Sequence, residues 1–242
     1  MQSKHTLWFL LFVVVLFMSC GDPGSETAPA ADATAPETGP DSTVVDADHY
    51  TAEFENDQVR IVRIAYEPGE ESVMHYHPEA VAVYLTDAHV EMVLPNGETV
   101  EQQTRAGQHQ LTPAGQHLPK NIGEAPLELV LVELKSGASG PAIPDGQDSI
   151  ALAPDHYTAE FENDKVRILR ITYAPGEESV MHYHPDNVAV FLTEHLAEMT
   201  VPDGSVLESR AAAGETLFTP AGQHLPRNIS DGPLELILVE LK

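Results

Sequence analysis

The seven residues from Ser72 to Pro78, "SVMHYHP", recur letter for letter from Ser179 to Pro185. Each copy holds two histidines separated by a single residue, His75 and His77 in the first and His182 and His184 in the second. On a β-strand, residues two apart point to the same face, so each pair can aim two imidazoles at one point. Taken alone, the spacing reads either as half of a metal clamp or as ordinary strand packing.

The repeat extends well beyond the heptapeptide. "DHYTAEFENDQVRIVRIAYEPGEE" from Asp48 lies over "DHYTAEFENDKVRILRITYAPGEE" from Asp155, and residues 48–135 align with 155–242 without gaps at an offset of 107. This is one unit of about 88 residues written twice, too long a period for a solenoid. A recent duplication preserves most residues whether or not they matter, so it speaks for organisation more than for sites. Residues 136–154, "SGASGPAIPDGQDSIALAP", have the Gly, Pro and Ser content of a linker.

Inside each unit the periodicity is that of strands. "QVRIVRIAY" and "LELVLVELK" are rich in Val, Ile and Leu with apolar residues on both alternating faces, as in strands packed on two sides or lining a barrel. Asn96-Gly97 and Asp203-Gly204 sit between strand-like runs and predict two-residue hairpin turns. No window carries a sustained helical stripe. Each copy therefore predicts eight to ten short antiparallel strands closed into a small barrel or jelly roll.

Downstream, "TPAGQHLPKN" places Gly107, Pro113, Gly115, His117 and Asn121, and its twin "TPAGQHLPRN" places Gly214, Pro220, Gly222, His224 and Asn228. With the Gly69…His75-x-His77 and Gly176…His182-x-His184 patterns, these residues resemble the two motifs of the cupin superfamily, and the resemblance covers both copies. It implies an all-β chain of two tandem double-stranded β-helix barrels, a bicupin, with the motifs on neighbouring strands facing each interior. It further implies a divalent metal (Fe, Zn, Mn, Ni or Cu) held by His75, His77 and His117 in the first barrel and by His182, His184 and His224 in the second. Two departures stand against the family pattern. Four residues beyond the second histidine, where the family has a glutamate ligand, the chain has Val81 and Val188; Glu79 and Asp186 are poorly placed substitutes. Only Gln116, or Gln223, separates the second-motif glycine from its histidine, where the family has two residues, and a one-residue slip would reverse a strand side chain. A three-histidine set still suits Zn, Fe, Cu and Ni and leaves positions open. The metal-free alternative, a polar pocket of histidines beside Tyr76 and Tyr183, stays open.

Other candidates read as structural. His89, His109 and His195 have no histidine counterpart in the other copy and predict surface imidazoles. His49 and His156 predict caps at the first strand of each copy. Arg60, Arg63, Arg167 and Arg170 predict edge protection, with one of each pair able to point into the barrel. Met74, Met92, Met181 and Met199 predict core filler.

The N-terminus reads "MQSKHTLWFLLFVVVLFMSCGDPGSE". A lone Lys4 precedes a dozen apolar residues, too few to span a hydrocarbon core of about 30 Å but suited to a signal peptide over residues 1–19. Its end resembles a bacterial lipoprotein signal, with Ser19 before Cys20, the chain's single cysteine. That implies lipidation at Cys20, a cell-envelope location, and membrane contact through the N-terminal lipid only. Residues 20–47 are dominated by Pro, Ala, Thr, Gly and acids and predict a disordered tether. The formal net charge of −26 repels nucleic acid and anionic headgroups; the cupin resemblance implies a small-molecule ligand or substrate as the partner. That resemblance leaves three functions open: a metal-dependent oxygenase or isomerase, which the family's range implies, a non-catalytic module capturing a small ligand such as a carbohydrate, or a structural pair of barrels. Cupin–cupin packing within the chain, or a homodimer, fits all three.

Overall fold

Strands that are apolar on both faces need two cores, and the fold supplies them. The computed structural model describes residues 38–242; the signal peptide, Cys20 and the first part of the tether lie outside the described residues. A four-residue helix α1 (Ser42–Val45) leads into nine strands: β1 (Tyr50–Glu55), β2 (Val59–Tyr66), β3 (His75–His77), β4 (Ala80–Tyr84), β5 (Ala88–Val93), β6 (Thr99–Thr104), β7 (His109–Thr112), β8 (Gly115–Asn121) and β9 (Leu127–Leu134). The second copy repeats the order. Helix α2 (Ser149–Leu152) precedes β10 (Tyr157–Glu162), β11 (Val166–Tyr173), β12 (His182–His184), β13 (Asn187–Phe191), β14 (His195–Thr200), β15 (Val206–Ala211), β16 (Thr216–Thr219), β17 (Gly222–Asn228) and β18 (Leu234–Leu241).

Each copy folds into two antiparallel sheets, one of five strands in the order β1-β2-β9-β4-β7 and one of four in the order β3-β8-β5-β6; the second copy matches with β10-β11-β18-β13-β16 and β12-β17-β14-β15. The expected pair of jelly-roll barrels is thus what forms. Alternation along the five-stranded sheet explains its doubly apolar sequence. Val62, Ile64, Tyr66, Ala80, Ala82, Tyr84, Leu129 and Leu131 fill the first barrel. Their neighbours Val59, Ile61, Val81, Val83, Val130 and Val132 point outward and meet Val166, Ile168, Val188, Val190, Ile237 and Val239 of the second copy in a shared core. The two barrels are therefore fused face to face through their larger sheets.

Three expectations need correction. The hairpins at Asn96-Gly97 and Asp203-Gly204 are not two-residue loops. Gly97 N–H donates to Leu94 O, and Leu94 N–H to Glu98 O, so Pro95, Asn96 and Gly97 form a three-residue loop with Gly97 at φ 82°. Proline's fixed negative φ favours this arrangement, with glycine taking the left-handed position. The second correction concerns β2 and β11, which are paired on both sides, so their arginines guard no edge.

The third concerns the tether and the linker, whose C-terminal parts are built into the barrels. Tyr76 N–H donates to Pro40 O and Tyr183 N–H to Gln147 O, both at 2.9 Å, so residues before each barrel cover the outer edges of β3 and β12. Asp41 caps α1 by accepting from Thr43 N–H at 2.9 Å, and it also pairs with Arg60; Asp148 does the same for Ile150 N–H and Arg167. Backbone bonds, a side-chain cap and an ion pair hold these straps, contacts that composition does not register, so the first reads as a disordered tether and the second as a linker. Among the described residues no helix is long and apolar enough to cross a membrane.

Candidate metal centre

The heptapeptide forms the edge strand of the smaller sheet in each copy, and its histidines face inward. His75 and His182 are 0% exposed, His77 and His184 4%. Across the ladder His75 stands directly opposite His117, and His182 opposite His224, so the third imidazole lies on the same face as the first two. The short glycine-to-histidine spacing has shortened the turn and kept the register. All six sequence-predicted histidines are thus brought together as two triads, with donor atoms within 4.8 Å of one another in each. Ring centroids lie 4.8, 4.9 and 5.3 Å apart in the first triad and 4.8, 4.8 and 5.2 Å in the second.

The outer nitrogens fix which lone pairs face the centre. His75 Nδ1–H donates to Val73 O at 2.7 Å, and His77 Nδ1–H donates to Glu133 Oε1 at 2.7 Å. The twins are His182 to Val180 O at 2.7 Å and His184 to Glu240 Oε1 at 2.6 Å. With the Nδ1 protons committed, both Nε2 atoms of each pair present lone pairs, and they sit only 3.0 Å apart. A proton shared between them would require an imidazolium, and burial opposes one. Burial, then the neighbouring imidazole, pulls His75 and His182 down from 6.5 to about 4. Burial followed by His77 and His75 takes His117 to about 3, and the same causes hold His224 well below its usual range. A cation between the lone pairs resolves the conflict, and two nitrogens each about 2.1 Å from a shared ion can be 3.0 Å from each other.

The position where a glutamate ligand was expected falls on side chains that leave the barrel. Val81 and Val188 are fully buried in the shared core between the barrels, whereas Glu79 pairs with Lys165 and Asp186 accepts from Ala221 N–H at 2.6 Å, both away from the triads. The carboxylate that does reach each site comes from the facing sheet. Glu133 on β9 and Glu240 on β18 are 1% and 0% exposed. Each accepts from the second histidine with one oxygen and from an arginine with the other: Arg60 Nε to Glu133 Oε2 and Arg167 Nε to Glu240 Oε2, both at 2.5 Å. Arg60 and Arg167 are the members of each arginine pair that point inward. The resulting chain runs from histidine to glutamate, arginine and the strap aspartate. It is the outer support that fixes tautomer and orientation at metal-binding imidazoles. The sequence carried a signal for it, an acid interrupting "LELVLVELK" and an arginine interrupting "VRIVRIAY".

Two tyrosines complete the floor. Tyr50 packs edge-on to His75 at 4.7 Å and shares a 2.6 Å hydrogen bond with Tyr66; Tyr157 repeats this with His182 at 4.7 Å and with Tyr173 at 2.8 Å. His49 and His156 stack on Tyr66 and Tyr173 beside the first strands. His89 is a partly exposed imidazole, and His109 reaches across to Glu160 of the other barrel at 3.0 Å. His195 is the exception to the surface expectation. It is 2% exposed and forms part of the wall of a cavity in the second barrel.

Comparison with protein-family models and with curated proteins gives no match. Among solved structures the chain is similar to AerE from Microcystis aeruginosa, at 16% identity and TM-score 0.56 over 80% of this chain and 97% of that one. It is also similar to oxalate decarboxylase from Bacillus subtilis, at 18% and 0.54 over 76% and 68%. A cupin 2 conserved barrel domain protein from Leptotrichia buccalis matches at 13% and 0.51 over 80% and 88%. At these identities the likeness is one of fold, and the fold is that of a tandem cupin.

Proposed function

We propose that this chain is a bicupin metalloprotein that binds one divalent cation in each barrel, through His75, His77 and His117 in the first and His182, His184 and His224 in the second. One observation carries the reading: in both copies two tautomer-fixed imidazoles direct their Nε2 lone pairs at the same point from 3.0 Å apart. Three protein donors leave coordination positions free, the arrangement of catalytic rather than closed sites. When bound, the ion supplies a Lewis acid at the barrel interior. The protein's own part is to orient His77 and His184 through Glu133 and Glu240, to hold His75, His117, His182 and His224 neutral by burial, and to surround the site with largely apolar walls. These features support a metal-dependent oxygenase or isomerase acting on a small molecule.

Metal analysis of the purified full chain tests the reading. Two equivalents per chain are expected after growth with added transition metals, falling to one when His75 and His77 are both changed to Ala. Sub-stoichiometric metal in both proteins would overturn it. We further propose that the protein is exported and lipid-anchored at Cys20; the lipoprotein-like ending at Ser19-Cys20 supports this. Cys20→Ala is expected to move the protein from the membrane to the soluble fraction, and continued membrane partitioning would assign the anchor elsewhere.

A further inference from the structure

The two barrels share a histidine triad and its support, yet the walls above the triads have diverged. In the first barrel Gln102 on β6 ties three strands together. Its Nε2 lies 3.1 Å from Tyr84 Oη, 2.7 Å from Gln110 Oε1 and 2.9 Å from Thr104 Oγ1. In the second barrel the matching positions are Ser209, Phe191, Leu217 and Ala211. None of these can rebuild that network: serine is too short to reach across, phenylalanine has no hydroxyl, and leucine and alanine offer no acceptor.

Where the network would stand there is a cavity of about 390 Å³, and Ser209, Phe191 and Leu217 line it together with His184 and His224. This lies within the size range of small-ligand pockets. Most of its wall is apolar, including Ile171, Ala197, Met199 and Leu236. At the outer end Leu207 and Leu217 are 57% and 49% exposed, an apolar rim that costs free energy in water unless something apolar passes over it.

A polar pair stands in the wall beside Phe191. His195, where the first barrel has Ala88, places Nε2 3.1 Å from Ser209 Oγ and packs its ring 4.6 Å from that of Phe191. Its Nδ1 is buried without a hydrogen-bond partner. Buried polar atoms are nearly always paired, so the His195–Ser209 pair retains hydrogen-bonding capacity that the protein itself does not use.

We propose that the barrels have divided their work: the second takes a compact, mostly apolar ligand with one polar head directed at the His184–His224 end, while the first keeps its triad beneath a mouth closed by Gln102. The His195–Ser209 pair is then a specificity-determining element of the second barrel. This extends the metal reading without depending on it, because the cavity is formed by side chains alone.

A reciprocal graft tests the proposal, with 4-fluorobenzyl alcohol as probe, an apolar ring bearing one oxygen. Fluorine NMR titration of the full chain is expected to give one bound probe per chain. Replacing the wall of the second barrel with that of the first, Phe191→Tyr, Ser209→Gln and Leu217→Gln together, is expected to weaken binding at least tenfold. The opposite graft, Tyr84→Phe, Ala88→His, Gln102→Ser and Gln110→Leu, is expected to raise the stoichiometry to two. Absence of saturable binding in the wild-type protein, two sites in the wild-type protein, or either graft leaving binding unchanged would overturn it. Metal content on the same samples keeps the two readings apart. It should stay at two per chain in both grafts, and its failure would count against the metal centres while leaving the probe stoichiometry to judge the cavity.

Discussion

Glu133 and Glu240 have both carboxylate oxygens in use, one toward an imidazole N–H and the other toward a guanidinium. An isolated carboxylate so deeply buried would be costly, and the inward-facing arginine is what makes it tolerable. Glu133→Gln retains an acceptor oxygen but removes the charge that holds the His77 Nδ1–H and, with it, the ring's tautomer and orientation. Loss of such outer support typically weakens metal binding by about 10–100-fold. That weakening is expected in the first barrel alone, with the second unchanged, in a competition titration against a chromogenic chelator. Equal affinity at both sites would reduce Glu133 to a packing residue. The histidines themselves dictate a pH response. Their folded values lie near 4 for His75 and His182 and near 3 for His117, against 6.5 when unperturbed. The unfolded chain therefore binds more protons in the interval between, and stability rises with pH there. The metal-free protein is expected to hold its full melting temperature above about pH 6.5 and to lose it as pH falls toward 4. A divalent cation, which competes with protons for the same lone pairs, should move that loss to lower pH. Thermal melts across the range, with and without metal, measure both effects; a melting temperature unmoved by acid would contradict burial of His75, His117 and His182 as neutral groups.

At the scale of strands and turns, much was legible. Alternation in "QVRIVRIAY" and "LELVLVELK" announced strands buried on both faces, and His-x-His on a strand announced convergence, because both follow from a period of two. What remained hidden is what crosses between elements. Counting along the chain put the missing ligand at Val81, but only the register of β4 shows that Val81 leaves the barrel while Ala80 and Ala82 line it. The carboxylate near His77 comes from residue 133, 56 positions away, a distance over which periodicity carries no information. His195 was misjudged for a related reason. It has no histidine twin, and its burial beside Ser209 on β15 and Phe191 on β13 depends on contacts between strands that the sequence does not display. The straps at residues 38–47 and 145–154 were hidden because hydrogen bonding to a strand edge leaves no apolar pattern in the sequence.

For the whole molecule, the pairing of barrels repeats itself under exchange of the two copies. Arg63 Nη2 donates to Gly214 O at 2.7 Å and Arg170 Nη2 to Gly107 O at 2.7 Å. Lys165 with Glu79 at one rim answers Gln58 with Asp186 at the other, and His109 with Glu160 answers Thr216 with Glu53. The shared core is likewise built from matching Val59, Ile61, Val81, Val83 and Val166, Ile168, Val188, Val190. Each barrel therefore carries a self-complementary face, the property that defines a two-fold interface. If the duplication joined two subunits of a former dimer, a single barrel should still make that dimer. A fragment of residues 38–135 exposes an apolar sheet face that water disfavours, and a second copy offers Gly107 O to Arg63 and Glu79 to Gln58 in place of their partners in the intact chain. The expected result is a dimer by sedimentation equilibrium, converted to monomer or aggregate by Val83→Asp, which places a charge in the centre of the face. A stable monomeric fragment would show that the face is not self-complementary and that the barrels were fitted to each other only after they were joined.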